Sequence, residues 1–139
     1  MKIVTEHLQV KTKGPGDLVN ITGEIANLLR DTGLKAGQAT VFNIGSTAAI
    51  ATFEFEPGMI KDVKEIFEKL IPQNKHYHHD ETWGDANGFS HLRAMLQGPS
   101  LVIPFEQGEL LLGTWQQVVL AEFDNRPRQR DIVVQIIGE

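Results

Sequence analysis

The fold is decided by residues 100–138, which read SLVIPFEQGELLLGTWQQVVLAEFDNRPRQRDIVVQIIG. This stretch contains four runs rich in β-branched and other apolar residues, and polar or glycine-containing segments separate them. We predict strands at residues 100–105, 109–113, 115–124 and 131–138. Four strands in succession, with no helix between them, favour antiparallel pairing.

Two details of this stretch refine the prediction. We expect Gln107-Gly108 to form a hairpin turn and Asn125-Arg126-Pro127-Arg128 to form a second one. The segments Leu101–Ile103 and Val118–Leu120 are continuously apolar, which predicts strands that are covered on both faces.

The N-terminal part of the chain changes repeatedly between the strand period and the helix period. It predicts strands at residues 1–13, 17–21, 38–44 and 47–55, helices at 23–32 and 58–71, and a short helix from Ser90 to Gly98-Pro99. We expect Thr22 to cap the first helix, Gly33 to end it, and Ser90 to cap the third. The apolar stripe of the second helix is expected to face the core: Met59, Ile60, Val63, Ile66, Phe67 and Leu70. This order predicts one α+β domain over residues 1–139, a mostly antiparallel β-sandwich with two main helices and one short helix.

Composition narrows the class of protein. The chain has 139 residues, 41% hydrophobic and 22% charged, as in an ordinary soluble domain. No run of about 18 apolar residues is present, so we expect no membrane span, and the first seven residues do not resemble a secretory signal. The absence of cysteine excludes disulfides and thiol chemistry and fits a cytoplasmic protein. A net charge of −5 argues against nucleic acid as a partner.

Residues 76–98 hold four of the five histidines, together with several acids and glycines. We predict a metal or acid–base site built around His79 and His91, with oxygen ligands available from Asp80, Asp85 or Glu122. Two imidazoles, a carboxylate and a water would suit an open divalent-metal site, but the spacing matches no compact metal motif. The alternative is a solvated polar loop, with His91 capping a helix.

Two further groups of residues are candidates for ligand binding. Arg126, Arg128 and Arg130 alternate along the chain, and guanidinium groups suit phosphate; the alternative is that they are solvated or lie at a subunit contact. The segment Gly113–Gln117 interrupts two apolar strands, so that Trp115 is either a ligand-binding wall or part of the core.

Several motifs, in this order, resemble the YjbQ family, whose members are also labelled secondary thiamine-phosphate synthase. They are Tyr77-x-His79, Trp83-Gly84-Asp85-x-Asn87-Gly88-x-Ser90-His91-x-Arg93, Gly98-Pro99-Ser100, Pro104, Gly113-Thr114-Trp115-Gln116, Asn125-Arg126-Pro127-Arg128 and Ile137-Gly138-Glu139. The resemblance implies an α+β sandwich that assembles as a homotrimer. It also implies a polar, histidine-lined pocket near a subunit contact that holds a divalent metal (zinc or magnesium) or an anion.

The resemblance also implies roles for individual residues. It places His79 and His91 in the pocket, with Asn87, Arg93, Thr114 and Gln116 beside them. Together with the candidates from the residues themselves, this predicts His79, His91 and Arg93 as catalytic residues and His79, His91 and Asp80 as metal ligands. The predicted ligand-binding residues are Asn87, Thr114, Trp115, Gln116, Arg126 and Arg128. Many members have His-Thr-Ser or His-Thr-Thr where this chain has Gly45-Ser46-Thr47, and many have Gly-His-Ser-His where Phe89 stands. A third imidazole is therefore missing, and a metal would need a carboxylate, a water or a neighbouring subunit.

For function, the family label implies the joining of a pyrimidine diphosphate to a thiazole phosphate with release of pyrophosphate. The broader expectation is metal-assisted transfer or hydrolysis on a small phosphorylated molecule. The alternative is a non-catalytic homotrimer that binds a small ligand or an anion.

Overall fold

The C-terminal strand organises the larger of two sheets. The computed structural model describes residues 1–139. Its elements are β1 (Lys2–Lys11), β2 (Leu18–Asn20), α1 (Thr22–Thr32), β3 (Ala36–Ile44), β4 (Ala48–Glu54), α2 (Pro57–Leu70), α3 (His78–Trp83), α4 (Gly88–Gln97), β5 (Ser100–Glu106), β6 (Glu109–Leu110), β7 (Gln116–Glu122) and β8 (Gln129–Gly138). Along β8 every second residue is buried, so one face of this strand points into the core.

The strands form two antiparallel sheets. The larger sheet has the order β1-β8-β3-β5-β6, and the smaller has the order β2-β7-β4. A single hydrophobic cluster joins them, with Val134 from β8, Val41 from β3, Leu120 from β7 and Ile25 from α1 among its members. The predicted α+β fold with mainly antiparallel strands is confirmed. None of the helices has both the length and the apolar content that crossing a membrane requires.

The predicted turns and strand faces have mixed outcomes. Gln107-Gly108 joins β5 to β6 as predicted, with φ of 55° and 79°, as in a two-residue hairpin turn. The segment 125–128 is not a hairpin, because β7 and β8 belong to different sheets and the segment crosses between them. Val118–Leu120 is buried on both faces as expected, whereas Val102 on β5 is exposed.

The start of α1 differs from the prediction. Thr22 is the first helical residue and does not cap the helix. Its hydroxyl instead accepts a hydrogen bond from the Val118 amide (2.8 Å) and donates one to Asn20 Oδ1 (2.7 Å), which ties the helix to β7. The predicted end is confirmed, since Gly33 has the left-handed conformation, with φ of 71°.

Helix α2 has the predicted position but not the predicted environment. The Glu56 side chain caps it by accepting hydrogen bonds from the amides of Gly58 and Met59. None of its residues is buried, and Met59, Ile66 and Leu70 are 37%, 48% and 59% exposed. An apolar groove of about 340 Å³ separates α2 from β4 and α4. The expectation that this whole apolar stripe enters the core is therefore wrong for the single chain.

The histidine-rich segment is more ordered than its sequence pattern indicates. Residues 78–83 form α3, which ends at Gly84 with a left-handed φ of 71°. The Tyr77 amide donates to the Asp80 carboxylate (3.0 Å), which closes the first turn. Helix α4 begins at Gly88, so that Ser90 is a fully buried residue of its first turn and not its cap.

We predict that Gly37→Ala destabilises the protein by at least about 2 kcal/mol. Gly37 has φ of 155°, and an added Cβ would lie 2.7 Å from the Cα of Gly138 on the neighbouring strand. Gly23→Ala is the matched control, because an added Cβ there meets nothing within 4 Å. The control should raise stability by up to about 1 kcal/mol, since alanine favours a helix more than glycine does. Chemical denaturation of both variants measures the difference; equal stabilities would contradict the prediction.

Candidate functional site

Two histidine rings meet at the junction of α3 and α4. The ring centroids of His79 and His91 lie 4.4 Å apart, and the ring planes are inclined by 40°. The Asp80 carboxylate fixes this junction, because it accepts hydrogen bonds from the amides of Tyr77 (3.0 Å) and Gly88 (3.1 Å). The structure thus brings together the two residues that the sequence singled out.

Electrostatics at the pair favour a neutral His91. Burial is the main cause that lowers its pKa below the ordinary value, and the neighbouring His79 lowers it further; the carboxylates of Asp124 and Asp85 act in the opposite direction. Around neutral pH the uncharged ring is therefore favoured, and an uncharged imidazole can accept a proton.

Several buried polar atoms in this region have no hydrogen-bond partner. They are His79 Nδ1, Asn87 Oδ1 and Ser90 Oγ, together with Asn43 Oδ1 on β3. The nearest acid to His79 Nδ1 is Asp85, at 3.8 Å, which is too far for a hydrogen bond. Because buried polar groups in proteins are nearly always paired, atoms of this kind indicate a place for a bound molecule or water.

A buried carboxylate lies next to the pair. Asp124 is 1% exposed and accepts hydrogen bonds from the Asn125 amide (2.8 Å), Arg128 Nη1 (2.7 Å), Thr47 Oγ1 (3.2 Å) and Asn87 Nδ2 (3.4 Å). Burial alone raises its pKa, but these hydrogen bonds and the Arg128 charge outweigh burial and hold the pKa below its ordinary value. Asp124 is therefore ionised and supplies a fixed negative charge near His91.

A buried ion pair supports Asp124. Arg130 Nε donates to Glu122 Oε1 (2.8 Å), and its Nη2 contacts Glu122 Oε2. The same Nη2 donates to Thr47 Oγ1 (2.8 Å), and Thr12 donates to Glu122 (2.6 Å). Glu122 is thus fully engaged inside the protein and is not available as the ligand that the sequence offered.

The predicted arginines have different surroundings. Arg93 is buried, and its guanidinium donates to the Ile71 carbonyl (2.8 and 3.0 Å) and to Glu68 (2.8 Å), so it packs against the end of α2. Arg128 is paired with Asp124. Arg126 is exposed and belongs to no ion pair of the structure. The adjacent Asn125 donates to the Asp85 carbonyl (2.7 Å), which fastens the Arg126 loop to the α3–α4 junction.

The remaining predicted ligand-binding residues lie elsewhere in the chain. Asn87 belongs to the site through Asp124, but Thr114, Trp115 and Gln116 stand at the opposite end of β7. Seven strand residues span about 20 Å. Trp115 is 71% exposed, which excludes the core alternative. Within a single chain these three residues do not line the histidine site.

The residues of one chain do not fit a resident metal ion. No three His, Asp or Glu side chains lie close enough together to hold one. Both oxygens of Asp80 accept backbone hydrogen bonds, so the predicted third ligand serves the helix junction instead. Open zinc sites use three protein ligands, and magnesium prefers oxygen ligands, whereas the pair offers two nitrogens.

Sequence reasoning missed Asp124 and the structural role of Asp80. Glu122 ends β7 and Asp124 follows two residues later, and acids at the end of a buried apolar run are a usable signal, because a buried charge requires a partner. The polar segment Gly45-Ser46-Thr47 is visible in the sequence, but its partner is not, since Thr47 reaches Asp124 across 77 positions.

These features define the class of protein: a two-sheet α+β sandwich with an imidazole pair at a helix junction beside a buried carboxylate. The sequence model of the family described as UPF0047 protein YjbQ-like matches residues 6–139. The chain therefore belongs to the YjbQ-like family.

Relatives and solved structures agree with this assignment. The chain is 36% identical over 130 residues to a UPF0047 protein of Archaeoglobus fulgidus, covering 94% of this chain and 98% of the relative. It is 31% identical to UPF0047 protein YugU of Bacillus subtilis, with coverage of 94% and 97%. A YbjQ-like protein of unknown function from Sulfolobus solfataricus superposes with a TM-score of 0.92, at 31% identity and 99% coverage of both chains.

We predict that the two neighbours shift the pKa of His91 in opposite directions. His79→Asn should raise this pKa, because it removes a second positive charge when both rings are protonated. Asp85→Asn should lower it, because it removes a negative charge that favours the imidazolium. NMR titration of the His91 ring measures both shifts, and in the unchanged protein the value should lie below about 6.5. A His91 pKa that stays the same or falls in His79→Asn would show that the two rings do not interact, and one that does not fall in Asp85→Asn would show that this carboxylate does not act on the ring.

We predict that Arg130→Met destabilises the protein by about 3–5 kcal/mol, because it leaves the Glu122 carboxylate buried and unpaired. The double variant Arg130→Met, Glu122→Leu serves as the control. It removes both charges and should be less destabilised than the sum of the two single variants. Urea denaturation measures all three; strictly additive losses would contradict a coupled pair.

Proposed function

We propose that this protein is an enzyme that acts on a small phosphorylated molecule, with His79 and His91 as its acid–base groups. The observation that carries the proposal is the contact between the two imidazoles, 4.4 Å apart, beside buried polar atoms that have no partner in the protein. A bound molecule would supply those partners.

The pair is suited to moving a proton. The neutral ring of His91 accepts the proton of a hydroxyl or water, as a general base does. The negative charge of Asp124 stabilises the imidazolium that forms, since this carboxylate favours the charged ring. The Nδ1 of His79 has no protein partner, which leaves it available to a second atom of the substrate.

The positive charge for a phosphate comes from Arg126. This guanidinium is exposed and free of ion pairs, and the hydrogen bond from Asn125 to Asp85 holds its loop next to the histidine junction. A guanidinium binds phosphate oxygens through two parallel hydrogen bonds. The guanidinium of Arg93, by contrast, is occupied by Glu68 and the Ile71 carbonyl, so we do not retain the catalytic role expected for it.

Family resemblance supports two finer proposals. The first is that the reaction is a transfer that releases pyrophosphate, as the label thiamine-phosphate synthase implies. In such a transfer a thiazole ring nitrogen forms the new bond to carbon as the carbon–oxygen bond to pyrophosphate breaks, so a protonated imidazole would act as the acid that donates to the leaving oxygen.

The second proposal is that the chain assembles as a homotrimer. The sequence predicts that Thr114, Trp115 and Gln116 bind the ligand, yet in one chain they lie at the far end of β7 from the histidine pair. They are exposed and could line a histidine site only if that site belongs to another copy of the chain, which supports assembly. Light scattering of the purified protein tests the trimer.

A non-catalytic binding protein is the second candidate. One observation favours it: Arg93, Arg128 and Arg130 are engaged by carboxylates of the protein, so Arg126 alone among the predicted arginines remains free to stabilise the charge of a leaving phosphate. Binding of a phosphorylated molecule, with no turnover of any substrate in the panel below, would support this candidate over the enzyme.

We predict that His79→Ala and His91→Ala each lower turnover by about 100-fold or more, the range for loss of a general acid or base. The substrates to assay are a panel of phosphate monoesters and the paired pyrimidine diphosphate and thiazole phosphate. His7→Ala is the control, because His7 lies on β1 and pairs with Asp131 on the surface. The control should keep full activity.

Thermal unfolding of the same variants separates chemistry from structure. Both rings are only partly buried, so each site variant should melt close to the unchanged protein. Active variants, or variants that have lost activity because they unfold, would overturn the assignment of the two histidines.

A further inference from the structure

A compartment with apolar walls opens beside His91. Its volume is about 320 Å³, within the range of small-molecule sites, and its lining is mainly apolar. Besides His91 it is lined by Phe42, Ala48, Ala94, Met95 and Pro99, and by Gly45 and Ser46 of the turn between β3 and β4. Phe42 and Met95 are 41% and 72% exposed, although both are large apolar residues.

Hydrogen bonds within the protein hold the wall of this compartment in place before any ligand binds. Asn43 is fully buried, and its Nδ2 donates to the carbonyls of Gly45 (3.1 Å) and Ala48 (3.3 Å), which holds the turn between β3 and β4. The backbone amide of Asn43 donates to the Pro99 carbonyl (2.9 Å), so the two sides of the compartment are tied together. A pocket of this kind loses little entropy when a ligand enters.

His91 therefore has polar and charged residues on one side and apolar residues on the other. On one side are His79, Asp85 and the loop of Arg126, and on the other are Phe42 and Met95. A molecule seated over His91 would place a charged group on the first side and an apolar group on the second.

We propose that the substrate is a phosphate ester with a compact apolar group, which the compartment of Phe42 and Met95 binds. This inference rests on the proposed function, which supplies the phosphate end. The apolar end contributes affinity because it leaves water for an apolar wall, and it orients the ester so that the reacting atoms face the two imidazoles.

The test compares two probes, inorganic phosphate and phenyl phosphate, by isothermal titration calorimetry of the full chain. Phenyl phosphate should bind at least about tenfold more tightly, since part of one ring is removed from water. Met95→Ala and Phe42→Ala should each reduce this preference at least threefold and leave the affinity for inorganic phosphate unchanged. Leu70→Ala is the matched control, because Leu70 is a comparably exposed apolar residue outside the compartment.

The outcomes separate the two proposals. If both probes bind equally, or if the preference survives in both compartment variants, the apolar compartment is not part of the site, while phosphate binding stands. If neither probe binds to the unchanged protein, the phosphate site itself fails and this inference fails with it. Met95 is largely exposed, so its variant keeps the test valid even if Phe42→Ala does not fold.

Discussion

The structure depends on the buried ion pair between Glu122 and Arg130. Glu122 ends β7 in the smaller sheet and Arg130 lies at the start of β8 in the larger sheet, so the pair joins the two sheets where the chain passes between them. Removing two charges from water costs several kcal/mol per ion, and the attraction offsets this cost only with good geometry and further hydrogen bonds. Thr12, Thr47 and the Asp124 amide provide those bonds.

Three hydrogen bonds connect this network to the candidate site. Thr47 accepts from Arg130 and donates to Asp124, and Asp124 accepts from Asn87 immediately before α4. The position of α4, and with it that of His91, is therefore coupled to the ion pair that joins the sheets. These hydrogen bonds hold the Asp124 carboxylate in place near the His91 ring. The fold therefore determines the electric field that this carboxylate produces at His91.

Much of the fold was predictable because it follows local periodicity. The alternation along β8, the apolar run of β7 and the helical period of α2 each identify an element from a few neighbouring residues. Helix α3 was not predictable in this way, because six residues make fewer than two turns and show no period.

The site was predictable in part, for a different reason. His79 and His91 are close in sequence, and short turns bring α3 and α4 together, so their contact needs little long-range information. The ion pair is the opposite case, since Thr12 meets Glu122 across 110 positions and the sheet order decides the encounter. Arg93 stands two residues after His91 on α4, so the helix turns its side chain to a different face, where Glu68 of α2 holds it.

The asymmetry of the histidine pair links this fold to the proposed chemistry. Two rings at 4.4 Å repel when both are charged, so a proton on His79 disfavours a proton on His91. This repulsion favours a division of roles in which one ring accepts a proton while the other donates, which two identical and independent rings would not favour at one pH. The buried Asp124 carboxylate favours the charged form of His91, so it offsets part of the cost of placing a proton on that ring in the proposed reaction.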